Sequence, residues 1–219
     1  DFEENDPDLK QKIKTLSADP NAQKIATEVL SPIFKTAFIQ KIGQTGYSFS
    51  NSGSFTVTSP KGEQITEKGK GKNTIASAVD AAAYVYELYS ITGGMQDELG
   101  ATNFKKYMPI EAAKFYAQYN DANDFYSKGP SFDTGKAVTT DIAKSLKQDL
   151  FKQVDDVMSN TQKNVAVLRF AHAEIIIPLA TSLELKGMMQ SVPLTQTFNY
   201  SNSAWRGEDI SPMAANLQW

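Results

Sequence analysis

The segment from residue 164 to residue 187 places the strongest constraint on the fold of this chain. It begins with the short apolar run NVAVLRF, which is rich in valine and typical of a buried parallel strand. A turn that carries His172 and Glu174 follows, and the next stretch, AEIIIPLATSLELKG, predicts a helix that ends at Gly187. A strand, a tight turn and a helix place polar side chains at the carboxyl end of a strand, where open α/β sheets bind ligands. Residues 160–219 therefore predict part of an α/β core.

The preceding residues, 1–159, predict a mostly helical region. Asp6-Pro7 and Asp19-Pro20 are helix-start signals, because proline is tolerated in the first turn of a helix. Pro32 predicts a kink or a restart of the second helix. Further helices are expected over residues 20–43, 73–94, 109–129 and 139–158. The predicted fold class is therefore α/β, with helices predominating in this chain.

Two of these helices carry apolar stripes that predict core packing. The helix after Pro109 has an aromatic stripe made of Phe115, Tyr116, Tyr119, Phe125 and Tyr126. The helix over 139–158 is expected to bury Ile142, Leu146, Leu150, Val154 and Val157.

Residues 44–72 change character and predict either a surface hairpin or an extended loop. Aromatic or β-branched residues alternate there with small polar ones, and Asn51-Ser52-Gly53 is typical of a turn. Lys68, Lys70 and Lys72 follow between glycines, without the spacing of a Walker A loop. These lysines either lie on a mobile, solvated loop or form a flexible clamp for a polyanion.

The composition narrows the classes of function. The chain has 219 residues, 41% of them hydrophobic, which fits one large globular domain or two small ones. A net charge of −3 argues against a nucleic-acid-binding protein with a dominant basic face, but a local basic pocket could still bind a small phosphorylated molecule. The absence of cysteine excludes thiolate nucleophiles, and no apolar run approaches the roughly 20 residues of a membrane span. A lone histidine without clustered aspartates predicts no metal site, and no Gly-x-Ser-x-Gly motif supports a serine triad.

The candidate chemistry lies at the predicted strand-to-helix turn. Arg169, His172 and Glu174 bring a permanent cation, an imidazole and a carboxylate together, and the start of the helix adds N–H groups and a positive dipole end. These groups predict an anion site beside a proton donor. A partly desolvated glutamate near a phosphate would have a raised pKa, which suits a general acid. A histidine between apolar runs can equally be a structural residue, and the residues alone leave both interpretations open.

Three stretches resemble one known family. LRFAHAEIIIPL is similar to the carboxyl-terminal His-Ala-Glu motif of the histidine acid phosphatases (clade 2), in particular the multiple inositol polyphosphate phosphatase, or phytase-like, branch. DANDFYSKGPSF resembles the Tyr/Trp-Lys-x-Gly segment before that motif, and AWRGEDISPMAANLQW resembles the stretch after it. The resemblance covers residues 115–219, whereas over residues 1–110 only the predominance of predicted helices matches.

The resemblance implies hydrolysis of phosphomonoesters in two steps. A nucleophilic histidine in an Arg-His-Gly-x-Arg motif takes the phosphoryl group, and water then hydrolyses the phosphohistidine. A second histidine stabilises the oxygens of the transferring group, and an acid protonates the leaving alcohol. By this correspondence His172 is the phosphate-stabilising histidine and Glu174 is the proton donor, while the family does not demand an arginine at position 169.

The resemblance also implies a helical cap, here residues 1–159, that covers the site and contributes cationic contacts to a phosphorylated small molecule. It implies no cofactor, and an extracytoplasmic or secreted bacterial protein. The candidate substrate-binding residues are Arg169, Lys128, Arg206, Lys68, Lys70 and Lys72.

The chain departs from the family pattern at the nucleophile. It contains no Arg-His-Gly motif, and His172 is its only histidine. We therefore expect an internal or partial piece of a phosphatase, inactive by itself, whose partner is the missing amino-terminal core segment of the same protein. Two alternatives stay open: a catalytically inactive module that binds phosphate or a partner, and a plain helical scaffold.

Overall fold

The computed structural model describes residues 6–59, 61–100, 104–133, 135–162 and 166–217. Its fold is α/β with helices predominating, as predicted. The helices are α1 (Pro7–Ser17), α2 (Pro20–Leu30), α3 (Thr36–Ile39), α4 (Ala78–Ile91), α5 (Gln96–Leu99), α6 (Ile110–Ser127), α7 (Gly135–Asp141), α8 (Lys144–Met158), α9 (Ala173–Ser182) and α10 (Gly207–Ile210). The strands are β1 (Phe49–Thr58) and β2 (Gln64–Ile75), and 3₁₀ turns occupy Thr92–Gly94 and Lys105–Tyr107. None of the described helices is long and apolar enough to cross a membrane.

The first two helices begin where the sequence predicts. The carboxylate of Asp6 accepts the backbone N–H groups of Asp8 and Leu9, and the carboxylate of Asp19 accepts that of Asn21. These bonds satisfy N–H groups that have no partner inside the helix. Of the kink and the restart predicted at Pro32, the structure shows a restart, because α2 ends at Leu30 and α3 begins as a separate turn at Thr36.

The described residues form two compact units, and residues 17–117 make up one of them. Its core lies between α2 and α4, where Ala22, Ala26 and Val29 are fully buried together with Val79 and Ala82. Small side chains at these positions allow the two helices to pack closely.

The hairpin, one of two alternatives for residues 44–72, is confirmed. Strands β1 and β2 are antiparallel, with Val57 opposite Ile65, and their turn is closed by hydrogen bonds between Ser59 and the backbone of Gly62 and Glu63.

Two details of the prediction for this region are wrong. Asn51-Ser52-Gly53 is not a turn but lies within β1, where the strand register shifts between Ser50 and Ser52. A bulge and a turn both favour small polar residues and glycine, so the sequence did not separate them. The glycine-lysine run is not a loop either, since Lys68 and Lys70 lie in β2 opposite Ser54 and Ser52.

The second unit combines the chain up to residue 16 with residues 118–219. Aromatic rings fill its core: Phe125 of α6 stacks on Phe198 with ring centroids 4.5 Å apart and meets the edge of Trp205 at 5.8 Å. The buried cluster consists of Leu9, Ala122, Phe125, Tyr126, Phe132, Ile177, Ala180, Met188, Val192, Phe198 and Trp205. The predicted aromatic stripe is therefore core packing at Phe125 and Tyr126, as it is at Tyr116 in the other unit.

The prediction of one long helix over 139–158 with a buried apolar face is wrong. The helix is divided into α7 and α8 between Asp141 and Lys144. Val154 and Val157 are 45% and 50% exposed, because α8 packs chiefly on α7 and α9, and these contacts leave that face open.

The predicted buried strand before the His-Ala-Glu turn is also wrong for its described residues. Residues 166–172 form no strand, and Leu168 and Phe170 are 77% and 93% exposed. A parallel strand needs strands beside it, and the strands in the described chain, β1 and β2, pair with each other. The helix that follows is confirmed as α9, although it ends at Ser182 rather than at Gly187. The two units have other boundaries than the regions 1–159 and 160–219, whose assignment to cap and core stays a prediction.

Candidate active site

His172 forms the start of α9. Its backbone is extended, with φ −96° and ψ 175°, and its carbonyl oxygen accepts the N–H groups of Ile175 and Ile176 at 3.1 and 3.2 Å. The imidazole makes no capping hydrogen bond, and the residue is exposed to solvent. The side chain is therefore available for a ligand at the positive end of a ten-residue helix.

Glu174 lies in the first turn of the same helix, with its side chain 67% exposed. The pKa of its carboxyl group is lowered, first by a hydrogen bond from its own backbone N–H and, against the effect of burial, by Lys128 and His172. The predicted rise concerns a glutamate close to a phosphate, whereas this lowered pKa belongs to the free chain. The backbone and the neighbouring cation favour the carboxylate more than partial burial disfavours it.

Lys128 is the cation that contacts Glu174. Its Nζ lies 3.6 Å from Oε1 of Glu174 and 2.7 Å from Oδ1 of Asp124, and its side chain is only 19% exposed. Burial by itself would lower the pKa of Lys128, but the hydrogen bond and charge of Asp124, together with Glu174, outweigh burial and raise it. Lys128 is therefore a firmly charged group beside the proposed acid.

The end of α6 fixes the position of Lys128. The backbone N–H groups of Lys128 and Gly129 both donate to the carbonyl of Asp124 at 2.9 Å. The hydroxyl of Thr139 in α7 donates to the carbonyl of Gly129 at 2.7 Å in a buried position. Asp124 did not emerge as a site residue from the sequence, although its spacing of four residues from Lys128 on a helix was a signal for an ion pair.

Arg169 has a different partner. Its guanidinium forms an ion pair with the carboxylate of Asp149 in α8. The contact joins the segment before His172 to α8.

Arg206 is held by the chain around it. Its guanidinium stacks on the ring of Tyr200 at 3.5 Å and donates to the carbonyl oxygens of Ser203 and Trp205 at 3.0 and 2.7 Å. The stacked position leaves little freedom to this side chain.

The remaining predicted cations lie on the hairpin. Lys68 and Lys70 are exposed on β2, in the other compact unit, and the side chain of Lys72 lies outside the described part of the structure. Of the six predicted substrate-binding residues, Lys128 is thus the one with a described contact to the His172–Glu174 turn.

The turn combines a helix amino terminus, an imidazole, a carboxylate and a lysine, which is chemistry for binding an anion and moving a proton. Within the described residues, no group of three or more His, Cys, Asp or Glu side chains is placed to hold a metal ion. A shallow cavity of about 320 Å³ lies elsewhere, beside Lys144, Phe151 and Ser182.

The chain matches a known protein family over a range that includes this turn. Residues 79–218, more than half of the chain, match the histidine phosphatase superfamily (branch 2). The chain belongs to this superfamily. A comparison of this histidine phosphatase chain with curated proteins found no match.

Solved structures of the multiple inositol polyphosphate phosphatase of Bifidobacterium longum are similar to the histidine phosphatase chain. The complex with inositol hexasulfate has a TM-score of 0.82 at 31% identity and covers 97% of this chain. The phosphate complex and the apo form have TM-scores of 0.76 and 0.75 at 30% identity, and each covers 96% of the chain. The chain spans less than half of that phosphatase, 46% in the first comparison and 44% in the other two.

Proposed function

We propose that the protein hydrolyses phosphomonoesters of inositol polyphosphates, and that this chain supplies the phosphate-stabilising His172 and the proton donor Glu174. The observation that carries the proposal is the turn at the start of α9, where an exposed imidazole and a carboxylate lie within the first helical turn beside Lys128. Membership of the histidine phosphatase superfamily and the similarity to an inositol polyphosphate phosphatase support it.

The proposed reaction passes through a phosphohistidine on a second histidine. This nucleophile attacks phosphorus, the bond from phosphorus to the inositol oxygen breaks, and Glu174 gives its proton to that oxygen. The resulting carboxylate then takes a proton from the attacking water, which releases phosphate and restores both groups. His172 and the N–H groups of α9 stabilise the negative oxygens during both transfers.

The nucleophile is proposed to lie in a part of the protein outside this sequence. His172 is the only histidine in the 219 residues, and the similar phosphatase is more than twice as long as its match to this chain. The amino-terminal core segment is therefore the proposed partner, and the chain by itself is expected to be inactive.

Lys128 is the first candidate for a direct substrate contact, because its Nζ already lies beside Glu174. Arg169 and Arg206 would have to leave Asp149 and Tyr200 to bind substrate. Lys68, Lys70 and Lys72 stay proposals that rest on the charge of the hairpin.

A catalytically inactive phosphate-binding module is the second candidate function. It is favoured by the single histidine and by the lowered pKa of Glu174, which leaves this residue a carboxylate in the free chain.

Binding at the proposed site can be measured on this chain directly, since its only histidine is a single NMR probe. Titration with inositol hexasulfate, which cannot be hydrolysed by a phosphatase, should shift the ring resonances of His172 in a saturable manner. The variant Lys128→Met should weaken this response, whereas Lys152→Met, which removes a similar lysine-aspartate pair from α8, should not. Ring resonances that stay unchanged at saturating ligand would contradict the proposed site.

A further inference from the structure

Lys128 lies between two carboxylates from different helices. Its Nζ is 2.7 Å from Oδ1 of Asp124 in α6 and 3.6 Å from Oε1 of Glu174 in α9. An ammonium group has three donors and can serve more than one acceptor. The three side chains thus form an acid–base–acid triad across the ends of two helices.

The two contacts of the triad are unequal. The bond to Asp124 is short and joins residues four apart in the chain at the end of α6, where side-chain exposures are 19% for Lys128 and 37% for Asp124. The contact to Glu174 is 0.9 Å longer, and the glutamate is 67% exposed. A more exposed and longer ion pair contributes less free energy, so the contact to Glu174 is the easier one to break.

Resting on the proposed function, we propose that Lys128 is shared between Glu174 and the substrate. In the free chain it holds Glu174, and when a phosphate ester binds, its Nζ transfers to a phosphate oxygen and releases the glutamate. Asp124 is a positioning residue, which keeps Nζ within reach of both partners.

The chemistry favours such a transfer. A phosphate dianion carries more charge than a carboxylate and makes stronger hydrogen bonds to an ammonium group. Loss of Lys128 removes one of the charges that stabilise the Glu174 carboxylate, and the incoming phosphate adds a negative charge nearby. The glutamate would therefore take up a proton only when substrate is present. This is the proton that it then donates.

Apart from His172, the charged groups named here around α9 have other partners. His172 acts on Glu174 from the start of the same helix. In the neighbouring α8, Asp149 is paired with Arg169, and the Nζ of Lys147 donates to the carbonyl of Ser182 at the far end of α9. Lys128, which directly follows α6, is thus the cation outside α9 that acts on Glu174.

The test is the titration of the Glu174 carboxyl group by ¹³C NMR in this chain, with and without saturating inositol hexakisphosphate, which the chain by itself is expected not to hydrolyse. In the wild-type chain the ligand should raise the pKa of Glu174. In Lys128→Met the pKa should be higher than wild type without ligand, and the further rise on binding should be smaller. The same variant should bind the ligand about 10-fold more weakly or worse. Lys152→Met serves as the control and should titrate like the wild type.

The positioning role of Asp124 has its own readout. In Asp124→Asn, Lys128 has Glu174 as its remaining carboxylate partner, so the ligand-free pKa of Glu174 should fall. A purely structural role would leave that pKa unchanged in a folded variant. If Lys128→Met does not fold, as judged by circular dichroism, Lys128→Arg replaces it and should keep the wild-type rise, while the Asp124→Asn comparison continues to test the triad.

Two results would overturn the inference, and they differ in what they say about the function. Equal rises in the wild type and in Lys128→Met, with ligand bound, would refute the transfer and leave phosphate-ester binding intact. No binding of inositol hexakisphosphate by the wild-type chain would refute both the transfer and the proposed substrate class.

Discussion

The hydroxyl of Tyr200 donates a hydrogen bond of 2.6 Å to Oδ2 of Asp121. The other carboxylate oxygen of Asp121 accepts the backbone N–H of Gly207 at 3.1 Å. Arg206 stacks on the same tyrosine ring. The carboxylate of Asp121 on α6 thus contacts, directly or through Tyr200, the residues that lead into α10.

Replacement of Asp121 by alanine should lower the free energy of unfolding by about 1–3 kcal/mol, because the N–H of Gly207 and the hydroxyl of Tyr200 lose a partly buried acceptor. Urea denaturation of Asp121→Ala and wild type measures the difference. Asp121→Asn, which keeps an acceptor for Gly207, is the matched control and should lose less. Equal losses in both variants would contradict this account of the cluster.

The same carboxyl group should make stability depend on pH. Burial raises the pKa of Asp121 above its ordinary value of 3.8, although Tyr200, Gly207 and Arg206 act in the opposite direction. The folded state therefore binds the proton more tightly than the unfolded state, so stability from this group is lost as pH rises through the folded pKa and is fully present below 3.8. The free energy of unfolding of the wild type relative to Asp121→Asn should increase as pH falls through this window. A difference that is flat, or that has the opposite slope, would contradict the raised pKa.

Tyr126 should stabilise the core through its hydroxyl. This oxygen accepts the backbone N–H of Phe198 at 2.7 Å, and the tyrosine is fully buried. Tyr126→Phe leaves that N–H without an acceptor and should cost about 1–3 kcal/mol in thermal or urea unfolding. Tyr47→Phe, whose hydroxyl makes only a long, exposed contact of 3.5 Å to Lys41, should cost much less. An unchanged midpoint for Tyr126→Phe would rule out this role.

Gly69 should be required for the bulged part of the hairpin. A β-carbon at this position would lie 1.5 Å from the carbonyl oxygen of Asn51, a distance that only a backbone movement can relieve. Gly69→Ala should therefore speed amide hydrogen exchange across β1 and β2. Gly93→Ala, where a β-carbon meets no atom within 4 Å, is the control. Unchanged hairpin protection in Gly69→Ala would show that the strands do not approach so closely.

Local signals in the sequence were sufficient for most helices and for the candidate turn. Helix α2 could be predicted from the capping residue Asp19, from Pro20 and from the helical spacing of the apolar residues. These signals come from residues that are close in sequence. His172 and Glu174 were predicted as site residues because the imidazole, the carboxylate and the helix start lie next to one another in the sequence. For residues 44–72 the alternation left a hairpin and an extended loop open, and the structure shows the hairpin.

Features that depend on distant partners could not be derived in this way. The apolar run before His172 has the composition of a strand, but a strand forms only where another strand offers hydrogen bonds. The exposed face of α8 likewise has the right period, since periodicity reports which side is apolar and not what covers it. The contact of Lys128 with Glu174 joins residues 46 positions apart, and spacing carries no signal for it.

The most direct test of the proposed function is phosphate release from inositol hexakisphosphate by the protein with its upstream coding region restored. Release should occur in that longer form, should be absent with the 219-residue chain, and should fall by about 10²–10⁴-fold in Glu174→Gln, because the leaving oxygen loses its proton donor. Glu111→Gln is the matched control, since Glu111 is also a first-turn glutamate paired with a lysine, at 2.8 Å. Undiminished release by Glu174→Gln would contradict the central claim that Glu174 is the acid, and release by the short chain would contradict the claim that the nucleophile lies outside it.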